Sequence, residues 1–69
     1  MVVVKVVELI GSSSKGWEDA AQNVLNEAAD TLREIKSMNV KNFTAKVKNN
    51  KIVEYRVVVH LAFAVEDTF

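Results

Sequence analysis

The sequence predicts an α+β fold: a three-stranded antiparallel sheet in the order 1-3-2, wrapped on a single helix and connected β-α-β-β. Three observations carry that prediction. From Val53 to Val65, alternate residues Val53, Tyr55, Val57, Val59, Leu61, Phe63 and Val65 are all apolar, the period-two signature of a strand with one dry face. From Trp17 onward the apolar positions 17, 20, 21, 24, 25, 28, 32 and 35 keep helical spacing. Between two alternating runs sits Asn49-Asn50, a pair that tolerates the positive φ angles of a two-residue hairpin turn.

The first strand is predicted over Met1–Ile10, rich in valine, with Gly11 as its breaker. Gly11-Ser12-Ser13-Ser14 then turns the chain into the helix. Ser13 is the expected N-cap, accepting from an unsatisfied N–H of the first turn. Ser14 and Lys15 follow as the first helical residues, and Gly16 is expected to mark a close approach. The apolar stripe carries the helix over about five turns. Glu18 and Asp19 near its start and Arg33 and Lys36 near its end suit the helix dipole. Ser37-Met38-Asn39 breaks the pattern. A second strand follows over Val40–Val47, with Lys41, Phe43, Ala45 and Val47 on one face and Val40, Asn42, Thr44 and Lys46 on the other. Lys48-Asn49-Asn50-Lys51 makes the hairpin, and the strand from Ile52 returns.

A helix between strands one and two makes them run the same way, while strand three runs back. A fully antiparallel sheet therefore places strand three in the middle. That is also the most apolar strand, so topology and composition agree. Its even row, Glu54, Arg56, Val58, His60, Ala62, Ala64 and Glu66, is mixed, and this half-wet face is where a site is expected.

With 69 residues and 49% hydrophobic content, one domain over 1–69 is expected, too small to gain much from its own core. There is no cysteine and only one histidine, so neither a disulfide nor a structural zinc staples it. Self-association is the remaining staple. Nine basic and nine acidic residues cancel, which argues against a nucleic-acid partner. They are nonetheless segregated. Glu18, Asp19, Glu27, Asp30 and Glu34 face only Arg33 in their stretch, whereas Lys36, Lys41, Lys46, Lys48 and Lys51 follow without an acid. Such asymmetry suits pairing of unlike surfaces between copies. No signal peptide and no run of about 20 apolar residues is present, so a cytoplasmic protein without a membrane partner is expected.

Gly11-Ser12-Ser13, Trp17-Glu18-Asp19-Ala20-Ala21, Thr31-Leu32-Arg33, Tyr55-Arg56-Val57 and Phe63-Ala64-Val65-Glu66-Asp67, in this order and spacing, resemble the dodecin family along essentially the whole chain. The resemblance implies a hollow, non-enzymatic homododecamer that binds or stores a small ligand or ion. In its best-known branch, flavins stack in pairs between tryptophans at two-fold axes and are held at the ring edge by a glutamine. Here those two positions carry Ser37 and Arg56, which implies a weakened flavin site. Calcium is the alternative cargo: the branch described as calcium dodecins also lacks the stacking tryptophan and is similar around Gly16-Trp17-Glu18. Its metal ligands do not transfer residue by residue, although Glu54, Glu66 and Asp67 could meet at a symmetry axis.

The residues admit plainer readings too. Arg56 suits either an anion fork or an ion pair with Glu54 of another copy. His60 among valines and alanines reads as packed, with no nucleophile–base set around it. Trp17 reads as core or interface. Two other functions stay open: a purely structural assembly, and an anion- or polyanion-binding shell using the lysine-rich hairpin.

Overall fold

The computed structural model describes residues 3–65. The strand β1 (Val3–Ser13) leads to the helix α1 (Trp17–Ala29), and the chain closes with β2 (Ile35–Lys48) and β3 (Lys51–Val65). The sheet order is β1-β3-β2 with both pairings antiparallel, as the connection argument requires. Met1, Glu66 and Asp67, assigned above to strand ends or to a candidate ion site, lie outside the described residues.

The core is where α1 crosses β3. Ala20, Val24 and Ala28, four residues apart on one helix face, pack with Val57, Val59 and Leu61, all six buried. Two alanines let the helix lie close, and Gly11 lets it lie closer still. A Cβ built on Gly11 would stand 2.2 Å from Val24 Cγ2 and 2.7 Å from the Ala20 carbonyl oxygen. The close approach expected at Gly16 therefore belongs to Gly11, which sits inside β1 opposite Val57 rather than ending the strand. Nothing lies within 4 Å of a Cβ built on Gly16.

The turn before the helix also differs from expectation. The N-cap is Gly16, and no side chain caps the helix. Ser13 Oγ instead accepts from the Lys15 N–H at 2.9 Å and donates to Asp19 Oδ2 at 2.6 Å, tying turn to first helical turn.

At its other end α1 stops at Ala29, with no basic residue in the last turn, and does not run on towards Ile35. The N–H groups of Thr31 and Leu32 both bond to the Ala28 carbonyl, and Glu34 at φ 53° turns the chain into β2. Leu32 and Ile35 still pack on the core, but from the connection and the strand. Their helical spacing is thus inherited from the core they share. Ser37-Met38-Asn39 accordingly belongs to β2, which begins five residues before the expected Val40.

β2 is not a strict alternation. Val40 pairs with Val59 and Asn42 with Val58, leaving Lys41 as a bulge residue. The extra residue puts Val40 and Phe43 on the same, helix-facing side, whereas alternation separates them. The hairpin follows the prediction: Asn49 and Asn50 have φ of 53° and 63°, between the pairs Val47–Ile52 and Lys48–Lys51.

The sheet outruns its cover. Thirteen helical residues span about 20 Å, against about 50 Å for the fifteen of β3. Tyr55 and Phe63 are therefore half-buried, and Val53 and Val65 exposed, although all four belong to the apolar row. The chain measures 57 × 20 × 12 Å with a radius of gyration of 14.4 Å, against about 11 Å for a compact domain of this length. Its accessible surface of 5354 Å² exceeds the compact expectation by about 1,000 Å². One side of a standard interface takes about 800 Å².

Candidate functional site

The face of the sheet turned away from α1 is built in rungs by the strand register. Val6, Ala62 and Ser37 form one, Glu8, His60 and Asn39 the next, then Ile10, Val58 and Asn42, and finally Ser12, Arg56 and Thr44. Cross-strand partners share a face, so these side chains make one continuous surface. Along β1 it alternates apolar with polar, Val6 and Ile10 being 57% and 70% exposed beside Glu8 and Ser12, and along β2 it is polar.

Arg56 donates from Nε to Glu54 Oε1 of its own chain at 2.5 Å. Lys46 stands across the sheet from Glu54, so two cations flank one carboxylate. Thr44, Ala45, Lys46 and Arg56 line a shallow pocket of ≈ 420 Å³. An exposed pair of this kind contributes only about 0–1 kcal/mol. The remaining guanidinium N–H groups stay available to an anion.

Ser37 is exposed, opposite Ala62, on the rim of a small pocket of ≈ 190 Å³ with Leu25, Ile35, Lys36 and Met38. Ala62 and Arg56 lie six residues apart on β3, about 20 Å along the strand. The two family-marked positions thus share a face but do not meet within one chain.

His60 Nε2 lies 3.6 Å from Glu8 Oε1, an ion pair only when the imidazole is protonated. Among the described residues no three metal-ligating side chains converge. Trp17 is held by contacts within the chain. Its indole N–H donates to the Thr44 carbonyl at 2.8 Å, and its ring meets Tyr55 and Phe43 edge-on, with centroids 4.8 and 6.1 Å away. This contact ties the start of α1 to the hairpin. Strict alternation does not place Phe43 there; the bulge does.

The sequence gives no sign of a groove between α1 and β1. It has a volume of ≈ 400 Å³ and an apolar lining that includes Val7, Leu9, Val24, Ala28 and Leu32, with Glu27 and Thr31 at its polar edge. No helix among the described residues is long and apolar enough to cross a membrane.

The family model "Dodecin" matches residues 3–66. The dodecin of Thermus thermophilus is 38% identical over 66 residues, spanning 96% of each chain. A crystal structure of a point mutant of that protein superposes with a TM-score of 0.93 at 38% identity, covering 99% of this chain and all of that one. The calcium dodecin of Mycobacterium tuberculosis is 30% identical over 63 residues, 91% of this chain and 89% of that protein. Its crystal structure, described as a calcium-chelating antigen with a novel calcium-binding site, superposes with a TM-score of 0.81 at 27% identity over 97% and 96% of the two chains.

Proposed function

This chain belongs to the dodecin family, and from that membership we propose that it acts as a non-enzymatic homododecameric shell that binds or stores a small ligand or ion between its copies. One observation carries the reading. Ser37 and Arg56 mark the same uncovered sheet face about 20 Å apart, so a ligand touching both positions has to lie between chains. The apolar side chains left bare on that face, Val4, Val6 and Ile10, call for the same cover. Native mass spectrometry of untreated protein tests it: a species of twelve chains carrying bound mass is expected. A stable monomer at micromolar concentration would sink the proposal.

Flavin is held weakly in this reading. Stacking on an aromatic contributes about 1–3 kcal/mol per ring, and serine has no π-face. Arg56 brings a permanent cation, already paired with Glu54, where the family's pattern has a neutral amide. Loss of one contact of ~2 kcal/mol is about thirtyfold in affinity. Ser37→Trp combined with Arg56→Gln is expected to raise riboflavin affinity at least about tenfold and to quench the bound fluorescence. Submicromolar binding of riboflavin by the unaltered protein would show that the ligand rests elsewhere.

Calcium takes six to eight oxygens. A calcium site in this shell would therefore draw carboxylates from several copies. A second reading, an anion on Lys46, Arg56 and Thr44, is favoured by their common pocket. It would declare itself as binding that falls linearly in log salt.

A further inference from the structure

We infer that the hairpin tip of one copy seats in the groove between α1 and β1 of the next, so that the assembly is held by contacts between unlike surfaces. This rests on the self-assembly proposed above and specifies how it is made. Beyond Tyr55 the hairpin has left the helix behind. Val47 and Ile52, partners across the strands, are 62% and 47% exposed on the side that α1 covers further down the sheet. Its end is also basic: Lys48 and Lys51, partners across the turn, are exposed with no acid between them.

The groove is its complement. Its lining of Val7, Leu9, Val24, Ala28 and Leu32 offers apolar contact in ≈ 400 Å³, a size that accepts whole ligands and therefore two branched side chains. Its rim is acidic. Glu27 lines it, and Asp30 caps the end of α1; both carboxylates are exposed. Burying valine and isoleucine supplies the attraction, and the opposite charges at the rim set the register.

The tip cannot fill its own groove. Ile52 is seven residues from Val59 on β3, and Val59 pairs with Leu9 of the groove, so the two lie at least about 23 Å apart along a straight strand. The occupant has to be a second copy. A contact between unlike surfaces either closes into a ring or runs on as a filament, and closure is what a shell requires.

The chain has no cysteine, which gives a clean test. Val47→Cys with Thr31→Cys replaces two exposed residues, one on the tip and one on the groove edge. Mild oxidation of the assembled double variant is expected to give covalent multimers on a denaturing gel, dispersed by reductant. The single variants should not form this ladder. An assembly of full size whose double variant crosslinks no more than the singles would overturn the inference and leave the shell standing. An unaltered protein that stays monomeric would remove both. Charge reversal gives an independent reading. Glu27→Lys with Asp30→Lys should raise the concentration needed for half-assembly at least tenfold. Adding Lys48→Glu and Lys51→Glu should bring it back to within about threefold. If the fourfold variant assembles no better than the double, the rim charges do not pair and the inference fails.

Discussion

Leu61→Ala is expected to destabilise the fold by about 2–5 kcal/mol, the range for emptying a buried leucine site. Leu61 is fully buried in the central strand, between Val7 of β1 and Met38 of β2 and beneath α1. Its neighbours are held by two ladders and a helix, so little of the cavity can collapse. Phe63→Ala, two residues on in the same row, should cost less despite the larger side chain. Phe63 lies where the helix has already ended and is only half-buried. Lys15→Ala, on the exposed turn before the helix, should stay within about 0.5 kcal/mol. Urea midpoints must be compared at equal protein concentration, because assembly adds to apparent stability. Equal losses for Leu61 and Lys15 would mean that the helix-facing row does not hold the core.

The outline was legible because its determinants are local or topological. Asn49-Asn50 states its turn type by itself, and a helix between two strands dictates which strand is central. The apolar row of β3 identified its dry side. What misled was sequence spacing that serves one core from different elements. Leu32 and Ile35 continue the periodicity of Ala20, Val24 and Ala28, yet they reach the core from a connection and from β2. Lys41 defeats alternation in a similar way, since a bulge carries no signature in a single sequence. Gly11 reads as a breaker and Gly16 as a close approach, the reverse of their roles in the structure. Only the packing distinguishes a glycine against which a helix rests from one with open space. The site was legible as a face but not as a place. Ser37 and Arg56 lie on the same side of one sheet, about 20 Å apart along β3, and nothing within one chain brings them together.

Gly11→Ala is the substitution in which the smallest chemical change is expected to do the most damage, about 1–3 kcal/mol or more. The cause is not backbone freedom. Gly11 does not lie in the left-handed region, so alanine can adopt the conformation of β1 there. The obstacle is space: the new methyl group would fall 2.2 Å from Val24 Cγ2 and 2.7 Å from the Ala20 carbonyl oxygen. The valine can turn aside, but the carbonyl belongs to the helix backbone, so α1 has to lift. Lifting it loosens Ala20 and Val24 against Val57 and Val59, with a loss of close contact throughout the core. Val24→Ala in the Gly11→Ala background should therefore recover little, since it removes the side-chain clash, leaves the backbone one and adds a cavity. Gly16→Ala supplies the contrast, because its Cβ meets nothing within 4 Å and its φ of 164° is ordinary extended backbone; its effect should stay within about 1 kcal/mol. Thermal unfolding of the three variants decides the matter. If Gly11→Ala melts with the unaltered protein, α1 does not rest on β1 at this point, and the small-residue face of the helix has another purpose.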